Sequence, residues 1–407
     1  MEKKLVKCVV LAEDGDGYKL SRVNILVVDG MIRDVIDRVD NVDDVDNFND
    51  VDNFNDVDNL NDVDNFNDVD YIVELSDIVL LPVFFDMHCH LGESLYEGID
   101  GTDWTIEKYL QHTSNFNRSL SKEQQAEHWH RSAAYTVAEL KRNGIIGFCA
   151  GRASEAVGTD FYVMSGYPIM NSAKLIQYKH AGLKGFKEYS ARYRGADCSI
   201  GVLLHSLYFN DRDSLRLAHE CMMAGAEFFT VHVSEDEKTT EMEHKIFGES
   251  AIKVLERFEL LNERAVLVHC GCVSNDDLER IARSGASIAV CPISNEFLNT
   301  TTPDINLLDA YKIPWYVTTD GYSTGKTFSL LKQSVALKNH FPNIEYSRLL
   351  KSFTRLPAVK FNRSHYVGNI EPNTKAKFIA VCTRATNADE FLDQLFNRHE
   401  RLEIISL

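Results

Sequence analysis

Short apolar runs alternate with amphipathic stretches along most of the chain, a pattern that indicates an α/β fold with a parallel sheet. The candidate strands are 78–85, 145–150, 183–188, 199–207, 227–232, 265–270, 287–292 and 315–320. The clearest helical patterns between them are 121–143, 211–224, 243–258 and 276–284. The first of these helices opens with Ser121 and Gln124, a capping box. Eight strands joined by helices predict a (β/α)8 TIM-like barrel.

Both ends of the chain are rich in strand patterns instead. Runs at 5–11 and 23–37 contain Asp29-Gly30, a hairpin turn signal, and further runs occur at 377–381 and 402–405. We therefore predict a small composite β-sandwich domain from residues 1–77 and 362–407. The barrel domain would then span 78–361.

A low-complexity insert, 39–70, interrupts the first β-rich segment. Residues 39–68 are five hexads of the type Val-Asp-Asn-Phe-Asn-Asp, in which one residue in three is apolar. Such a repeat cannot bury a core, so we predict a solvated loop, which a domain tolerates easily. Its acidic spacing raises calcium binding as an alternative, but the glycine turn and bidentate Glu of an EF-hand loop are missing.

Composition excludes several classes of function. The net charge is −18, and twelve Asp of the insert account for much of it, so we expect no nucleic-acid partner and no anionic membrane. No apolar window approaches the ~18 residues of a spanning helix. The nine cysteines form no paired framework, which indicates reduced, mostly buried thiols and a cytoplasmic location.

Candidate chemistry gathers at the ends of the predicted strands. In a barrel of this kind, functional groups project from the carboxyl ends of the strands. One His at such a position is more often a hydrogen-bonded structural residue, and a lone HxH pair is a weak metal signal. Several together need partners, which a shared divalent metal would supply. The polar strand-end residues are His88, His90, His205, His232, His269 and Asp320.

Five motifs in this order make the pattern specific, and they cover most of the chain. They are His88-Cys89-His90, His232-Val233-Ser234-Glu235, His269-Cys270, Cys291 to Asn295, and Thr319-Asp320. The set resembles the amidohydrolase superfamily, in particular its metal-dependent deaminase and chlorohydrolase branch. That branch includes cytosine, guanine and adenosylhomocysteine deaminases and triazine hydrolases. The segment 367–379 also looks like the return to the small β-domain in this family.

The resemblance implies a role for each matching residue. One divalent ion, zinc or iron, would be held by four ligands: His88, His90, His232 and Asp320. His269 and Asp320 would take the proton of the attacking water, and Glu235 would shuttle a proton to the substrate ring. His205 and Asn295 would contact substrate. Trp104, in the first loop, could stack on a flat heterocycle.

The function that follows is hydrolytic deamination of an amino-substituted nitrogen heterocycle such as a purine, nucleoside, pterin or pyrimidine. A first alternative is a binuclear cyclic amidase or lactamase, which needs a bridging lysine; Lys184 and Lys187 are the nearest candidates. A second is a barrel that has lost its chemistry. The partner would be a small heterocyclic molecule. The sequence leaves open whether the protein forms a homo-oligomer.

Overall fold

The computed structural model describes residues 2–37, 69–156, 160–172, 175–195, 197–364, 368, 370–397 and 402–407. The hexads at 39–68 lie outside these residues, so the predicted loop and the calcium alternative stay predictions. Part of the family-like segment 367–379 lies outside them as well.

The chain divides into two compact units. The first comprises Met1–Phe85, Lys141–Ile145 and Asn343–Leu407, and the second comprises Asp86–Leu140 and Ile146–Pro342. The domain boundaries predicted from the sequence, 1–77 with 362–407 and 78–361, stay a proposal.

The first unit is built on a six-stranded mixed sheet that uses both ends of the chain. Asp29 and Gly30 both have positive φ, at 50° and 73°, which is the backbone of a type I′ hairpin turn between the second and third strands. Apolar residues such as Val6, Ile25, Leu80 and Phe378 form its core. In spatial order the strands are β16 (Glu403–Ser406), β15 (Lys377–Cys382), β4 (Tyr71–Pro82), β1 (Lys3–Asp14), β2 (Gly17–Val28) and β3 (Met31–Asp37).

An eight-stranded sheet forms the barrel, and every pairing from its second strand to its last is parallel. Two short strands, β6 (Cys89–His90) and β14 (Asp320–Gly321), pair in parallel beside it. The predicted (β/α)8 barrel with a separate β part is confirmed. The eight strands are β5 (Phe84–Asp86), β7 (Ile145–Gly151), β8 (Tyr162–Ile169), β9 (Cys198–Ser206), β10 (Phe229–Val233), β11 (Ala265–His269), β12 (Ser287–Val290) and β13 (Trp315–Val317).

The helices follow the strands as a barrel requires. The capping box at Ser121 and Gln124 is present, since each side chain bonds the other residue's backbone N–H. In the described part of the chain, no helix is long and apolar enough to cross a lipid bilayer. The helices are α1 (Ile106–Ser119), α2 (Lys122–Arg142), α3 (Ile176–Tyr193), α4 (Arg212–Met223), α5 (Glu237–Phe247), α6 (Ala251–Arg257), α7 (Asn275–Ser284), α8 (Pro292–Phe297), α9 (Ile305–Ala310), α10 (Tyr322–Gly325), α11 (Leu330–His340), α12 (Tyr346–Ser352), α13 (Arg355–Lys360) and α14 (Ala388–Phe396).

Two of the predicted elements are wrong. The run 183–188 is helical and lies within α3, whose buried residues Phe186 and Tyr189 are one helical turn apart. The third strand is β8 instead, where Gly166 allows close approach to Leu203: a Cβ there would lie 2.7 Å from the Cβ of Leu203. The predicted helix 243–258 is two helices, because Gly248 ends α5 with φ 85° and Ser250 caps α6.

Candidate active site

Four strand-end side chains converge on one point inside the second unit. The Nε2 atoms of His88, His90 and His232 lie 3.1–3.3 Å from one another. Asp320 Oδ1 lies 3.2 Å from His88 Nε2 and 3.0 Å from His90 Nε2. The pairing of β6 with β14 brings Asp320 to the His88–His90 segment, and the Asp320 N–H donates to the His88 carbonyl. We call these four residues the His/Asp cluster.

The His/Asp cluster has the donor chemistry and spacing of a metal site. Ligands about 2.0–2.1 Å from a tetrahedral ion lie roughly 3.3 Å apart, close to the spacing of these nitrogens. His232 Nδ1–H donates to the His205 carbonyl, which leaves Nε2 of His232 as an acceptor. Burial lowers the pKa of His88 to about 4 and that of His232 well below its usual value, which favours the neutral imidazole that a metal ligand requires. The cluster therefore fits a divalent transition metal.

Glu93 supports the cluster from the side of His90. Its carboxylate lies 3.4 Å from His90 Nδ1 and accepts a hydrogen bond of 2.7 Å from the Tyr109 hydroxyl. Burial lowers the pKa of His90, but Glu93 and Asp320 outweigh it and raise that pKa well above its usual value. The surroundings of His90 thus stabilise positive charge. Sequence reasoning missed this role of Glu93, although its position three residues after His90 was a usable signal.

Glu235 and His269 lie next to the cluster and face each other. Glu235 Oε2 is 3.7 Å from His269 Nε2, and Glu235 Oε1 accepts a hydrogen bond of 3.3 Å from the Tyr208 hydroxyl. Burial raises the pKa of the Glu235 carboxyl above its usual value, with His269 opposing the shift. Burial therefore favours the protonated form of this carboxyl, which is the form that a proton donor needs.

Asn295 lies behind His269. The amide oxygen of Asn295 is 2.9 Å from His269 Nδ1, so it accepts the Nδ1–H and leaves Nε2 of His269 unprotonated. The preceding residue, Ser294, donates a 2.5 Å hydrogen bond to Asp320 Oδ2. Two neighbouring residues of α8 thus orient two predicted catalytic groups. Sequence reasoning did not find Ser294.

A cavity of about 1440 Å³ opens over the cluster. His90, Glu93 and His205 lie in its wall, together with residues of α1, α2 and α5. His205 also stacks on His232, with ring centroids 4.7 Å apart, so this predicted substrate contact lies beside the cluster. The volume exceeds that of a bare heterocycle and leaves room for a substituent.

Two further residues were predicted to contact substrate, Trp104 and Asn295. Neither Asn295 nor Trp104 is among the described residues that line the cavity. Trp104 donates from Nε1 to the Asp100 carbonyl and stacks on Phe297 at 6.2 Å, in a packed loop. Substrate contact by either residue stays a prediction.

The lysines that a binuclear amidase would need are also outside the cavity wall. Lys184 lies on α3 with 86% of its side chain exposed and pairs with Glu188 at 3.8 Å. Lys187 is exposed on the same helix. The His/Asp cluster is largely buried, whereas both lysine side chains are exposed, so neither residue supports the lysine-bridged alternative in this structure.

Comparison with known proteins agrees with this geometry. The profile of the amidohydrolase family matches residues 205–404, which hold His205, His232, Glu235, His269 and Asp320. This match covers slightly less than half of the chain, and over it the chain is similar to the amidohydrolase family. The chain is also 22% identical over 271 residues to a 5-methylthioadenosine/S-adenosylhomocysteine deaminase of Pyrococcus abyssi. The match covers 64% of this chain and spans 63%, slightly less than two thirds, of that relative's length.

Solved structures share the fold over nearly the whole chain. A guanine deaminase of E. coli superposes with a TM-score of 0.82 at 14% identity and covers 100% of this chain and 98% of its own. An adenosine deaminase of Xanthomonas campestris with bound zinc has a TM-score of 0.78 at 16% identity, covering 99% and 91%. At these identities the likeness establishes the fold of the chain.

Asp86 joins the two segments that carry three of the four predicted metal ligands. Its buried carboxyl accepts from the N–H of His88 at 3.1 Å, and from the N–H and hydroxyl of Thr319, the residue before Asp320. Burial raises the pKa of Asp86 to about 7, while the hydrogen bonds from Thr319 and His88 oppose that rise. The motif pattern did not single out Asp86, although it stands two residues before His88.

We expect Asp86→Ala to weaken metal binding about 10–100-fold, the usual effect of losing a group that holds the ligands. It leaves three buried donors unpaired, so the free energy of unfolding should also fall, by about 3 kcal/mol. Competition against a chelator gives the metal affinity, and urea unfolding gives the stability. Thr319→Val removes one of the three donors and should have a smaller effect. An Asp86→Ala protein with unchanged metal affinity would contradict this role.

Proposed function

We propose that this protein is a metal-dependent hydrolytic deaminase that releases ammonia from an amino-substituted nitrogen heterocycle. The observation that carries the proposal is the buried Glu235 carboxyl facing His269 beside the His/Asp cluster. The match to the amidohydrolase family supports a hydrolase of carbon–nitrogen bonds, and the named relatives are deaminases. The cofactor would be one divalent ion, zinc or iron, at His88, His90, His232 and Asp320.

The residues divide the reaction between them. A divalent ion in the cluster would supply the Lewis acidity that makes water a nucleophile near neutral pH. His269, held by Asn295, presents Nε2 as a proton acceptor, and Asp320 is a second acceptor oriented by Ser294. Glu235 gives its proton to the ring nitrogen of the substrate, which makes the adjacent carbon electrophilic. Water adds at that carbon while His269 or Asp320 takes its proton. That proton then passes to the exocyclic amine, the carbon–nitrogen bond breaks and ammonia leaves, and the hydroxyl proton returns to Glu235 as the carbonyl forms.

The cavity supports a substrate larger than a bare base. Its volume of about 1440 Å³ favours a substituted ring, such as a purine nucleoside, over a free pyrimidine. His205, which lies in the wall beside the cluster, is the proposed contact to the substrate. The protein is proposed to act in the cytoplasm, with no nucleic-acid or membrane partner.

The test is an ammonia-release screen on protein purified without chelator and loaded with one metal ion per chain. We expect turnover of at least one class among aminopurines, their nucleosides, aminopterins and aminopyrimidines. Dihydropyrimidines and lactams serve as the comparison, because a cyclic amidase would open those rings and release no ammonia. Ammonia from none of the amines, with metal bound, would favour the inactive barrel.

A further inference from the structure

Glu243 is a buried carboxyl that the proposed reaction does not use. It lies on α5 with 1% of its surface exposed. Its Oε2 accepts the backbone N–H of Ser234 at 3.2 Å and the Ser234 hydroxyl at 3.3 Å. A carboxyl that is removed from water needs such partners, and here both bonds come from one residue.

Ser234 occupies the turn between two functional residues. It stands two positions after His232 and immediately before Glu235, at the end of β10. Its φ is 48°, in the left-handed region that residues with a Cβ seldom adopt. The surroundings must stabilise this conformation, since the intrinsic preference of a serine opposes it.

Hydrogen bonds to both backbone groups of Ser234, its N–H and its carbonyl, hold this turn. The Ser234 carbonyl accepts the N–H of Cys272 at 2.9 Å, while its N–H points to Glu243. Helix α5 begins just after Glu235 with a capping box between Asp236 and Thr239, and its second turn brings Glu243 back to Ser234. The segment from Ser234 to Glu243 thus closes on itself, with Glu235 inside the loop.

We propose that Glu243 is a positioning residue that locks the Ser234 turn and thereby sets Glu235 relative to the metal ligand His232. The inference rests on the proposed function and deepens it. We call the two hydrogen bonds from Ser234 to Glu243 the lock. It affects the rate, because an enzyme can lose about a hundredfold in activity when its proton donor is displaced by about 1 Å. Glu243 does not touch the cavity, so its effect on substrate binding should be small.

The chain contains a matched control. Asp277, at the start of α7, is a buried carboxyl whose Oδ2 accepts the N–H of Ser274 at 3.2 Å and its hydroxyl at 2.8 Å, as Glu243 does from Ser234. Its Oδ1 also accepts the Ser250 hydroxyl at 2.6 Å. No proposed catalytic group adjoins that turn. Comparing Glu243→Leu with Asp277→Leu separates loss of a buried carboxyl from loss of the lock.

The conservative variant is Glu243→Gln. Burial raises the pKa of Glu243 to about 8, with the Ser234 hydrogen bonds opposing, so an uncharged amide resembles the native group at neutral pH. Its oxygen can still accept from Ser234. Glu243→Asp keeps the carboxyl but shortens the reach by one methylene, and it serves if the leucine variant does not fold.

We expect Glu243→Leu to lower kcat about a hundredfold with KM within about threefold, and Glu243→Gln to stay within about threefold of wild type. Asp277→Leu should lose thermal stability but keep kcat. Hydrogen–deuterium exchange of the peptide covering 232–236 should accelerate in Glu243→Leu and Glu243→Asp and not in Asp277→Leu. Glu243→Leu with wild-type kcat, or with unchanged exchange, would overturn the proposal. Exchange needs no turnover, so the lock can be tested even if the deaminase assignment fails.

Discussion

Stripping the divalent ion from the His/Asp cluster is expected to lower ammonia release on the order of a thousandfold, since several kcal/mol of activation are lost with it. Returning one equivalent of zinc or of iron(II) is expected to restore turnover. Three imidazole nitrogens and one carboxylate within ~3.3 Å of each other suit either ion. The measurement is ammonia release against added metal, with elemental analysis of each sample.

Replacing one predicted metal ligand at a time tests whether the loss of activity arises at the His/Asp cluster. His232→Gln should lose both metal and activity, because His232 is a buried neutral imidazole whose Nε2 faces two other ligands. Lys184→Gln, on an exposed face of α3, should change neither. Activity that survives complete metal removal, or a stoichiometry of two ions per chain, would contradict the mononuclear site. The relative rates with zinc and iron also decide which ion supports the reaction.

The barrel was predictable because its strands are short apolar runs with polar residues at their ends. In β10 and β11 every residue is buried, and each strand carries a single functional His near its carboxyl end. The third strand escaped detection for a physical reason. Gly166 and Pro168 weaken the sequence signal for a strand at β8. Gly166 is nevertheless needed there, because a side chain at this position would clash with Leu203 of the neighbouring strand β9.

The site was predictable to the extent that its motifs are local. His88 and His90, or His232 and Glu235, can be paired from their spacing alone. The supporting contacts join residues far apart in sequence: Asp86 bonds Thr319, 233 positions away, and Asn295 bonds His269 across 26 positions. Only the closed barrel brings these pairs together. Asn295, whose predicted contact with substrate stays a prediction, also orients His269, because its place at the start of α8 faces the back of that ring.

Glu235→Gln is expected to reduce kcat about 10²–10⁴-fold while the metal stays bound. Glutamine keeps the size of the side chain and can still accept from Tyr208, so the site should hold its shape. It cannot give a proton to the substrate ring, and that proton is what makes the amidine carbon reactive. Burial raises the pKa of the native Glu235 carboxyl above its usual value, which favours the protonated form that this step needs. Steady-state kinetics with metal analysis of the same preparation provides the measurement.

Tyr208→Phe is the matched control for Glu235→Gln. It removes the hydroxyl that donates to Glu235 Oε1 but leaves the carboxyl, so kcat should fall by far less than in Glu235→Gln. If Glu235→Gln kept full activity with metal bound, proton delivery by Glu235 would be excluded, and His269, 3.7 Å away, would become the candidate donor. If it lost metal instead, Glu235 would be supporting His232 rather than the substrate. The proton-donor role requires retained metal together with a lowered kcat, because only that combination separates chemistry at the ring nitrogen from assembly of the site.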